Sequence, residues 1–484
     1  MFKRTFLAIS FLCCIATNSW ADTYSAASCS QSDVQAAINA SSEGDTVSVS
    51  SGNCTWSSPV SVMKGITLQG AGPTSTVITI SGSNAFTIGT ANAYFTNVRL
   101  TGFGLTGSSS SAADISIEGN FTSLRVDHLR INTGSSKGVW VNFVTSFNQR
   151  WSGAAYEKTK MLFDHIEFIN SSGLEFILIY GRGFPSWQED DGWGTDNFIF
   201  IEDSTFTWTG GSFGIVTDTD IGNGARFVFR HNTVTNGTVQ MHDTSSQRSQ
   251  RAAEIYGNTI TASPTQPSWP AIGIRGGTYL VYNNTINGYD SIDINEIFRL
   301  YHPPCETTGW GICCDQSGST KFYEDALTRC TGGDRRICYS SSDCSGIGTC
   351  DISCTTDAGA IKCVKLDGSG TGNYPCRDQT GWGKDDANGA NTSSPVYWWR
   401  NGSDAGCATG GTCTNTYPFN ASGYSGYMTE GVEYCKHSPV TSPNPVSPGT
   451  CNGLTLSYTP YTYPHPWTQG TSLLAPQNLR IMNP

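Results

Sequence analysis

The chain has 484 residues and a formal net charge of −11 at pH 7. That length allows a large hydrophobic core or two domains. An acidic chain repels the phosphate backbone, so the charge argues against a nucleic-acid partner. Only 14% of the residues are charged and 54 are glycine, which is typical of an all-β protein with many turns.

The first 21 residues have the pattern of a secretory signal peptide. Lys3 and Arg4 precede an apolar run over residues 6–15, and a cleavage site ends at Ala21. The apolar run is too short for a membrane anchor, and no other segment is long and apolar enough to span a membrane. The pattern predicts export to the extracellular space or to the periplasm.

Eighteen cysteines are present, and sixteen remain once the predicted signal peptide is removed. An even number in an exported chain favours disulfide bonds. Cys29 and Cys54 are expected to tie the N-terminal part together, and ten cysteines lie between Cys305 and Cys376. Zinc is the alternative for this cluster, but paired C-x-x-C motifs are lacking. We interpret residues 301–394 as a disulfide-rich insertion.

The N-terminal part reads as a cap followed by short strands. Val34, Ala37 and Ile38 have helical spacing, which predicts a short amphipathic helix over residues 30–40, capped by Ser30 or Ser32. The helix would cover the open end of a stack of strands. Short strands separated by glycine turns are predicted at 45–49, 60–62, 66–72 and 77–80.

A repeat of 26 residues predicts the fold. Asn232, Asn258 and Asn284 recur at this spacing, each preceded by alternating apolar and polar residues and followed by threonine. A fixed period in the twenties is typical of a solenoid. Asparagine suits a bend because it tolerates a left-handed φ and its amide can bond to its copy in the next coil. We predict a parallel β-helix over residues 22–300.

Looser copies of the repeat occur earlier and later in the chain. They lie at 124–131, 162–168 and 200–206, with steps of 37, 38 and 28 residues that indicate loops protruding on one side. Residues 395–401 resemble one more coil. The proline- and aromatic-rich end of the last segment, 395–484, is expected to pack as an extended tail along the solenoid.

Alternation within the coils predicts one outward ladder of side chains. In order of coils it contains Asp127, Asp164, Glu202, Arg230, Tyr256 and Tyr282. Three carboxylates stacked at strand spacing repel one another, and a calcium ion would remove that cost. The alternative is that long loops separate the carboxylates and water screens them.

Three histidines, His128, His165 and His231, occupy the position directly before the bend. They form either a zinc or acid–base set or a stack of neutral imidazoles that faces the coil interior and bonds to the backbone. We favour the second interpretation, because buried imidazoles are usually neutral.

The segments Arg125-Val-Asp127-His128 and Leu162-Phe-Asp164-His165 resemble the Asp-His strand motif of the pectate lyase superfamily. The asparagine ladder, the cap and residues 66–72 are similar to it as well, so the resemblance covers residues 25–300. The whole chain is also similar to uncharacterised secreted bacterial β-helix repeat proteins with a segment like residues 374–378.

The resemblance implies a right-handed parallel β-helix and a calcium-dependent groove that performs β-elimination on an acidic polysaccharide. It places Asp127 and Asp164 near the metal, with Glu202 matching by position, and Arg230 as the base. Arginine rarely loses its proton, so His242 is an easier base. The remaining candidates for binding substrate are Arg248, Arg251, Arg275, Tyr256 and Tyr282. Each arginine can equally form a surface salt bridge, for instance with Glu254.

Two other functions stay open. Asp190, Asp191, Asp218 and Asp220 suggest an inverting glycoside hydrolase, although the motifs of the polygalacturonase group are absent. Trp187, Trp193 and Trp208 can stack on sugars or pack in the core. The second alternative is a non-catalytic structural, filament-forming or adhesive β-helix that self-associates through its coils. We predict a secreted polysaccharide lyase.

Overall fold

The computed structural model describes most of the solenoid and parts of the C-terminal region. The described residues are 21–90, 93–110, 113–134, 137–142, 160–170, 175–181, 189–210, 214–218, 224–240, 250–266, 270–289, 292–296, 380–385, 391–413, 430–436 and 454–469, with short pieces at 329–330, 350–351, 419–420 and 450–451. The predicted signal peptide over residues 1–20 and most of the cysteine-rich insertion lie outside them.

A helix caps the N-terminal end, as expected. Helix α1 (Gln31–Ala40) begins where the Ser30 side chain accepts a hydrogen bond from the Asp33 N–H at 3.2 Å. Val34 and Ile38 are buried in the main core. The predicted disulfide between Cys29 and Cys54 is present and ties the cap to a strand of the second coil.

The chain then winds into coils whose strands stack in three parallel rows. Row 1 contains Thr23–Ser25, Thr46–Val49, Thr67–Gly70, Val98–Thr101, Leu124–Asp127, Met161–Asp164, Ile199–Glu202, Arg226–Arg230, Ala252–Tyr256, the first half of Thr278–Tyr289, Val396–Gly402 and Tyr434–Lys436. Row 2 contains Gly52–Trp56, Thr76–Ile80, Gly104–Gly107, Arg130–Thr133, Glu167–Asn170, Thr205–Trp208, Thr233–Thr235, Thr259–Gln266 and the second half of Thr278–Tyr289. Row 3 contains Val60–Val62, Phe86–Ile88, Ile115–Glu118, Lys137–Asn142, Glu175–Tyr180, Gly214–Asp218, Gly237–Gln240, Ile272–Arg275, Ile292–Glu296 and Phe419–Asn420.

Each coil runs from row 1 through a sharp bend into row 2 and then to row 3. Side chains that alternate inward, such as Phe227, Phe229, Ala253 and Ile255, form one continuous buried core. The architecture is an all-β parallel solenoid, as predicted. The right-handed sense of the winding stays a prediction.

The other described elements are short. They are the parallel pair Tyr94–Phe95 and Asn120–Phe121, the antiparallel pairs Arg329–Cys330 with Cys350–Asp351, Trp382–Asp385 with Asn391–Ser393, and Thr450–Cys451 with Leu454–Thr455, helix α2 (Gly406–Thr409) and the 3₁₀ helix Pro466–Thr468. A second disulfide joins Cys407 to Cys413. Among the described residues, no helix is both long and apolar enough to cross a membrane.

The asparagine ladder holds the bends in register. The Asn258 amide accepts from the Asn232 N–H at 2.9 Å and donates to Asn284 Oδ1 at 2.9 Å, and Asn284 donates in turn to Asn401 at 2.8 Å. One detail differs from the prediction: the left-handed φ belongs to the preceding residue, such as His231 at 55°. The asparagines are buried, and their amides satisfy backbone groups that the bend leaves unpaired.

Replacing Asn258 with alanine is expected to destabilise the protein by about 2–4 kcal/mol. The change leaves the buried Asn232 N–H and the Phe229 carbonyl without their partner, and each unsatisfied group costs about 1–3 kcal/mol. Chemical denaturation measures the loss. The exposed Asn287 of the same solenoid is the control, because its change to alanine should cost less than about 0.5 kcal/mol. Equal losses for the two variants would contradict the ladder's role.

Candidate active site

The outward ladder forms in the predicted register. Asp127, Asp164 and Glu202 are Cα partners on successive strands of row 1. The same line continues through Arg230, Tyr256, Tyr282 and Trp399. We call this line the outer ladder. Successive coils therefore stack these positions, as the sequence pattern requires.

Arginines neutralise the three carboxylates of the outer ladder. Arg99 forms two bonds to Asp127, at 2.8 and 2.6 Å, and Arg125 forms two to Asp164, both at 2.8 Å. Arg230 reaches Glu202 Oε2 through Nε and Nη2, each at 2.6 Å. Bidentate pairing of this kind removes the repulsion that made a cation necessary in the prediction.

The C-terminal strap (residues 456–469) covers the outer ladder. Arg230 donates to the carbonyls of Tyr461 at 2.7 Å and Thr462 at 3.0 Å, and Arg125 donates to that of Trp467 at 2.7 Å. The His465 N–H donates to the second oxygen of Glu202 at 2.9 Å. The predicted tail thus packs along the solenoid, but it occupies the face where a substrate groove was expected.

This arrangement corrects the expectation that the outer ladder is open to solvent. Asp127, Asp164, Glu202 and Arg230 are all 0% exposed. Burial alone would lower the pKa of the Arg230 guanidinium, but Tyr256 and Glu202 together raise it above its ordinary value. An arginine whose pKa is raised keeps its proton, so Arg230 is unsuited to act as a base.

The carboxylates do not fit calcium in this arrangement. Calcium takes six to eight oxygen ligands, whereas the oxygens of Asp127 and Asp164 are bound by two arginines and those of Glu202 by Arg230 and a strap N–H. Calcium as a cofactor therefore stays a prediction, and these three carboxylates offer it no free set of oxygen ligands.

Tyr256 and Tyr282 also lie under the strap rather than beside a substrate. They are buried and stack on each other at 4.6 Å, and Tyr282 stacks on Trp399 at 4.3 Å. Tyr458 of the strap donates to Glu254 and contacts the Tyr282 hydroxyl at 3.0 Å. These rings form a second apolar cluster outside the main core.

The remaining predicted residues fall in different places. Arg251 is fully buried and pairs with Asp191 at 2.7 Å, so it is not a surface arginine. Trp208 lies in the main core, which corrects the suggestion that it stacks on sugar. Arg275 lies on a described strand, in register with Glu296. His242, Arg248, Trp187 and Asp220 lie outside the described residues.

Glu254 makes stability depend on pH. Its burial raises the pKa of the carboxyl to about 7, although hydrogen bonds from Gly194 and Tyr458 act to lower it. The folded state therefore binds this proton more tightly than the unfolded state, and stability falls as pH rises between about 4.5 and 7, by a few kcal/mol. Replacing Glu254 with glutamine should flatten this part of the profile, which unfolding titrations at pH 4 to 8 will measure. A glutamine variant that keeps the slope of the native chain would contradict this assignment.

A row of titratable side chains lies at the bend beside the strap. His128, His165, Asp203 and His231 follow the outer ladder by one residue on four successive coils, and all have φ between 51° and 55°. We call these residues the turn row. His128 and His165 have side chains that are 53% and 46% exposed. The expectation that the histidines face the coil interior is therefore wrong, because the left-handed bend turns them outward.

Two members of the turn row are paired with buried aspartates. His128 Nδ1 lies 2.7 Å from Asp127, and His165 Nδ1 lies 2.8 Å from Asp164. An ionised carboxylate can only accept, so Nδ1 carries the proton and Nε2 is left with its lone pair on the exposed side. The bond to Asp164 raises the pKa of His165 above its ordinary value, although burial opposes the change.

The strap completes an open cleft along the turn row. Tyr463 donates to Asp203 at 2.6 Å and stacks on His231 at 3.7 Å. A cleft of about 700 Å³ is lined by His165, Asp203, His231 and Tyr463 together with Thr205, Thr233 and Thr468. A second cleft of about 660 Å³ shares Asp203, His231 and Tyr463 and extends past Gly257 and Asn283. The two clefts together follow the solenoid axis over several coils.

Burial shifts the pKa values of His231 and Tyr463, which line this cleft, in opposite directions. Burial and the nearby Arg230 lower the pKa of His231 to about 4, so its ring is neutral at pH 7. Burial and Asp203 raise the pKa of Tyr463, so its hydroxyl stays protonated. Gly257 leaves room for His231, because a Cβ at position 257 would lie 2.8 Å from the imidazole. The cleft thus combines a titrating imidazole with a hydroxyl donor.

Sequence reasoning missed Asp203, Tyr463 and the pairing role of Arg99 and Arg125. Arg125 precedes Asp127 by two residues and therefore shares its face of the strand, which is a signal that pattern analysis can use. Asp203 occupies the same position as the histidines in the repeat. Tyr463 has no local signal, since its contact with Asp203 spans 260 residues.

Comparisons with known proteins leave the family open. No protein-family model and no curated protein matches this chain. Among solved structures, the alginate lyase from Paenibacillus sp. str. FPU-7 is similar with a TM-score of 0.30 and 16% identity, over 55% of this chain and 95% of that chain. A likeness at this level carries no argument about activity.

Proposed function

We propose that this chain is a secreted lyase that cleaves a uronate-containing polysaccharide by β-elimination, with its active site at the turn row. The observation that carries the proposal is an exposed imidazole, His165, held by a buried aspartate in an open cleft next to the Tyr463 hydroxyl. Aspartate-paired histidine is a common general base, because the carboxylate stabilises the imidazolium that forms.

The reaction assigns one role to each group. Neutral His165 takes the proton from the carbon next to the uronate carboxylate through Nε2. The adjacent carbon–oxygen bond then breaks and a carbon–carbon double bond forms. The Tyr463 hydroxyl turns its proton from Asp203 to the leaving glycosidic oxygen, and solvent then returns a proton to Tyr463 and removes the one that His165 took. His128 stacks beside His165 on the neighbouring coil. Asp203 and His231 hold the Tyr463 ring over the cleft.

A non-catalytic extracellular β-helix is the second candidate, and the strap favours it. The strap covers the outer ladder with bonds to Arg125 and Arg230, so the face where the resemblance placed catalysis is closed. The inverting glycoside hydrolase is less well supported. Asp191 pairs with Arg251 and accepts from Ser394 at 2.8 Å, which leaves it committed to structural contacts.

A panel of polyuronates tests the proposal. The purified chain is incubated with polymers of different uronic acids, with calcium or with a chelator, and the absorbance of the unsaturated uronide is followed. We expect product from at least one polymer, and activity that survives chelation because no carboxylate of the outer ladder is free for calcium. The Tyr463→Phe variant should lose activity and Tyr94→Phe, at an exposed ring outside the cleft, should keep it. No product from any polymer would favour the non-catalytic reading.

A further inference from the structure

His128 and His165 form a pair of imidazoles with a geometry that elimination chemistry does not require. Their ring planes are 1° from parallel, and their centroids are 5.0 Å apart. Both rings are about half exposed, and both are anchored through Nδ1 to a fully buried aspartate. The two Nε2 lone pairs therefore lie on the same side of the solenoid, on neighbouring coils.

We propose that His128 and His165 bind a divalent transition-metal ion, such as zinc, nickel or copper, through their Nε2 atoms. This proposal does not rest on the proposed lyase function, and a bound ion would occupy the Nε2 atom with which His165 accepts a proton in that reaction. A neutral imidazole is a preferred ligand for these ions, whereas calcium and magnesium prefer oxygen.

The aspartates support this role as partners of the ligands. Histidines that bind metals almost always donate their other ring N–H to a carboxylate or carbonyl, which fixes the tautomer and the ring orientation. Asp127 and Asp164 accept these bonds at 2.7 and 2.8 Å. Possible ligand atoms of Asp127, His128 and Asp164 lie within 4.8 Å of one another. Since Arg99 and Arg125 already hold both carboxylates, the aspartates orient the rings and do not bind the ion directly.

The rings must tilt toward each other to share one ion. Zinc–nitrogen bonds of about 2.0–2.1 Å place two nitrogen ligands no more than about 4.2 Å apart. The 5.0 Å separation joins the ring centroids, and in parallel rings the two in-plane lone pairs point the same way. Both half-exposed rings must therefore turn toward each other, as well as approach, before one ion contacts both Nε2 atoms. Water completes the coordination. Asp203, the next member of the turn row, adds a negative charge that acts on His165.

Metal titration of the full chain, purified without a histidine tag, tests this inference. Zinc and nickel are titrated calorimetrically at neutral pH without polysaccharide, and copper binding is followed by electron paramagnetic resonance. We expect one site, a copper signal with two nitrogen ligands, and no heat from calcium or magnesium. Either His128→Asn or His165→Asn should weaken binding at least ten-fold, because each removes one of the two protein ligands and loss of an outer-shell partner alone typically costs about 10–100-fold.

Asparagine is the replacement of choice because it tolerates the left-handed φ that both positions adopt. His231→Asn provides the matched control, since His231 lies in the same row but is packed under Tyr463, and it should leave the affinity unchanged. Binding that is equal in the native chain and in the His128→Asn, His165→Asn double variant would overturn the proposal, as would the absence of any binding by the native chain. Neither result depends on whether the chain cleaves a polysaccharide.

Discussion

Replacing Arg230 with methionine is expected to destabilise the protein by about 3–5 kcal/mol, because the change leaves the carboxylate of Glu202 buried without its counter-ion. Both side chains are 0% exposed, so water cannot replace the lost partner. The Tyr461 and Thr462 carbonyls lose a donor at the same time, which loosens the strap. Denaturant unfolding followed by tryptophan fluorescence measures the effect.

Arg130 provides a matched control, because it also pairs with a carboxylate across neighbouring coils. The Arg130–Glu167 pair has a distance of 2.7 Å, but its side chains are 39% and 48% exposed. Arg130→Met should therefore cost no more than about 1 kcal/mol. Adding Glu202→Gln to Arg230→Met should recover a large part of the loss, since it removes the unpaired charge. Equal losses for Arg130→Met and Arg230→Met would contradict the assignment of a buried ion pair.

Replacing His165 with asparagine is expected to lower the rate of polysaccharide cleavage by about 10²–10⁴-fold, the usual contribution of a general base. Asparagine tolerates the left-handed φ of 53° and can still donate to Asp164, so the fold should be retained. Circular dichroism and the unfolding midpoint check this. A variant with normal stability and normal cleavage would remove His165 from the mechanism.

The pH profile separates a base from a merely structural residue. His165 must be neutral to accept a proton, and the bond to Asp164 raises its pKa above the ordinary value. Cleavage by the native chain should therefore be full above that pKa and should fall as pH decreases through it. The residual activity of His165→Asn should lack this limb. His231, with its pKa lowered to about 4, cannot produce a limb near neutral pH.

The regular part of the fold was predictable because it repeats. The 26-residue spacing of Asn232, Asn258 and Asn284 indicated coils in register, and the amide bonds between them form as expected. The same register placed Asp127, Asp164 and Glu202 in one line. A fixed period in the sequence indicates stacked coils, since each coil must place its core residues at the same positions.

The partners of the carboxylates in the outer ladder could not be predicted in the same way. Three carboxylates in register suggested a cation, and the structure supplies arginines from neighbouring coils instead. The choice between a calcium ion and an arginine depends on where a long side chain reaches, which alternation along a strand does not specify. The orientation of the histidines depended similarly on a positive φ at the bend, which the sequence pattern assigned to the asparagine one residue later.

The sequence by itself determined the solenoid, the N-terminal cap, the Cys29–Cys54 bridge and the alignment of the outer ladder, because these features follow from local periodicity and composition. Only the tertiary structure decided which face is open. The strap reaches Arg125 and Arg230 across 342 and 231 residues of sequence, and no local pattern encodes contacts over such separations. The strap buries the outer ladder and leaves the adjacent bend accessible, with its exposed imidazoles and Tyr463.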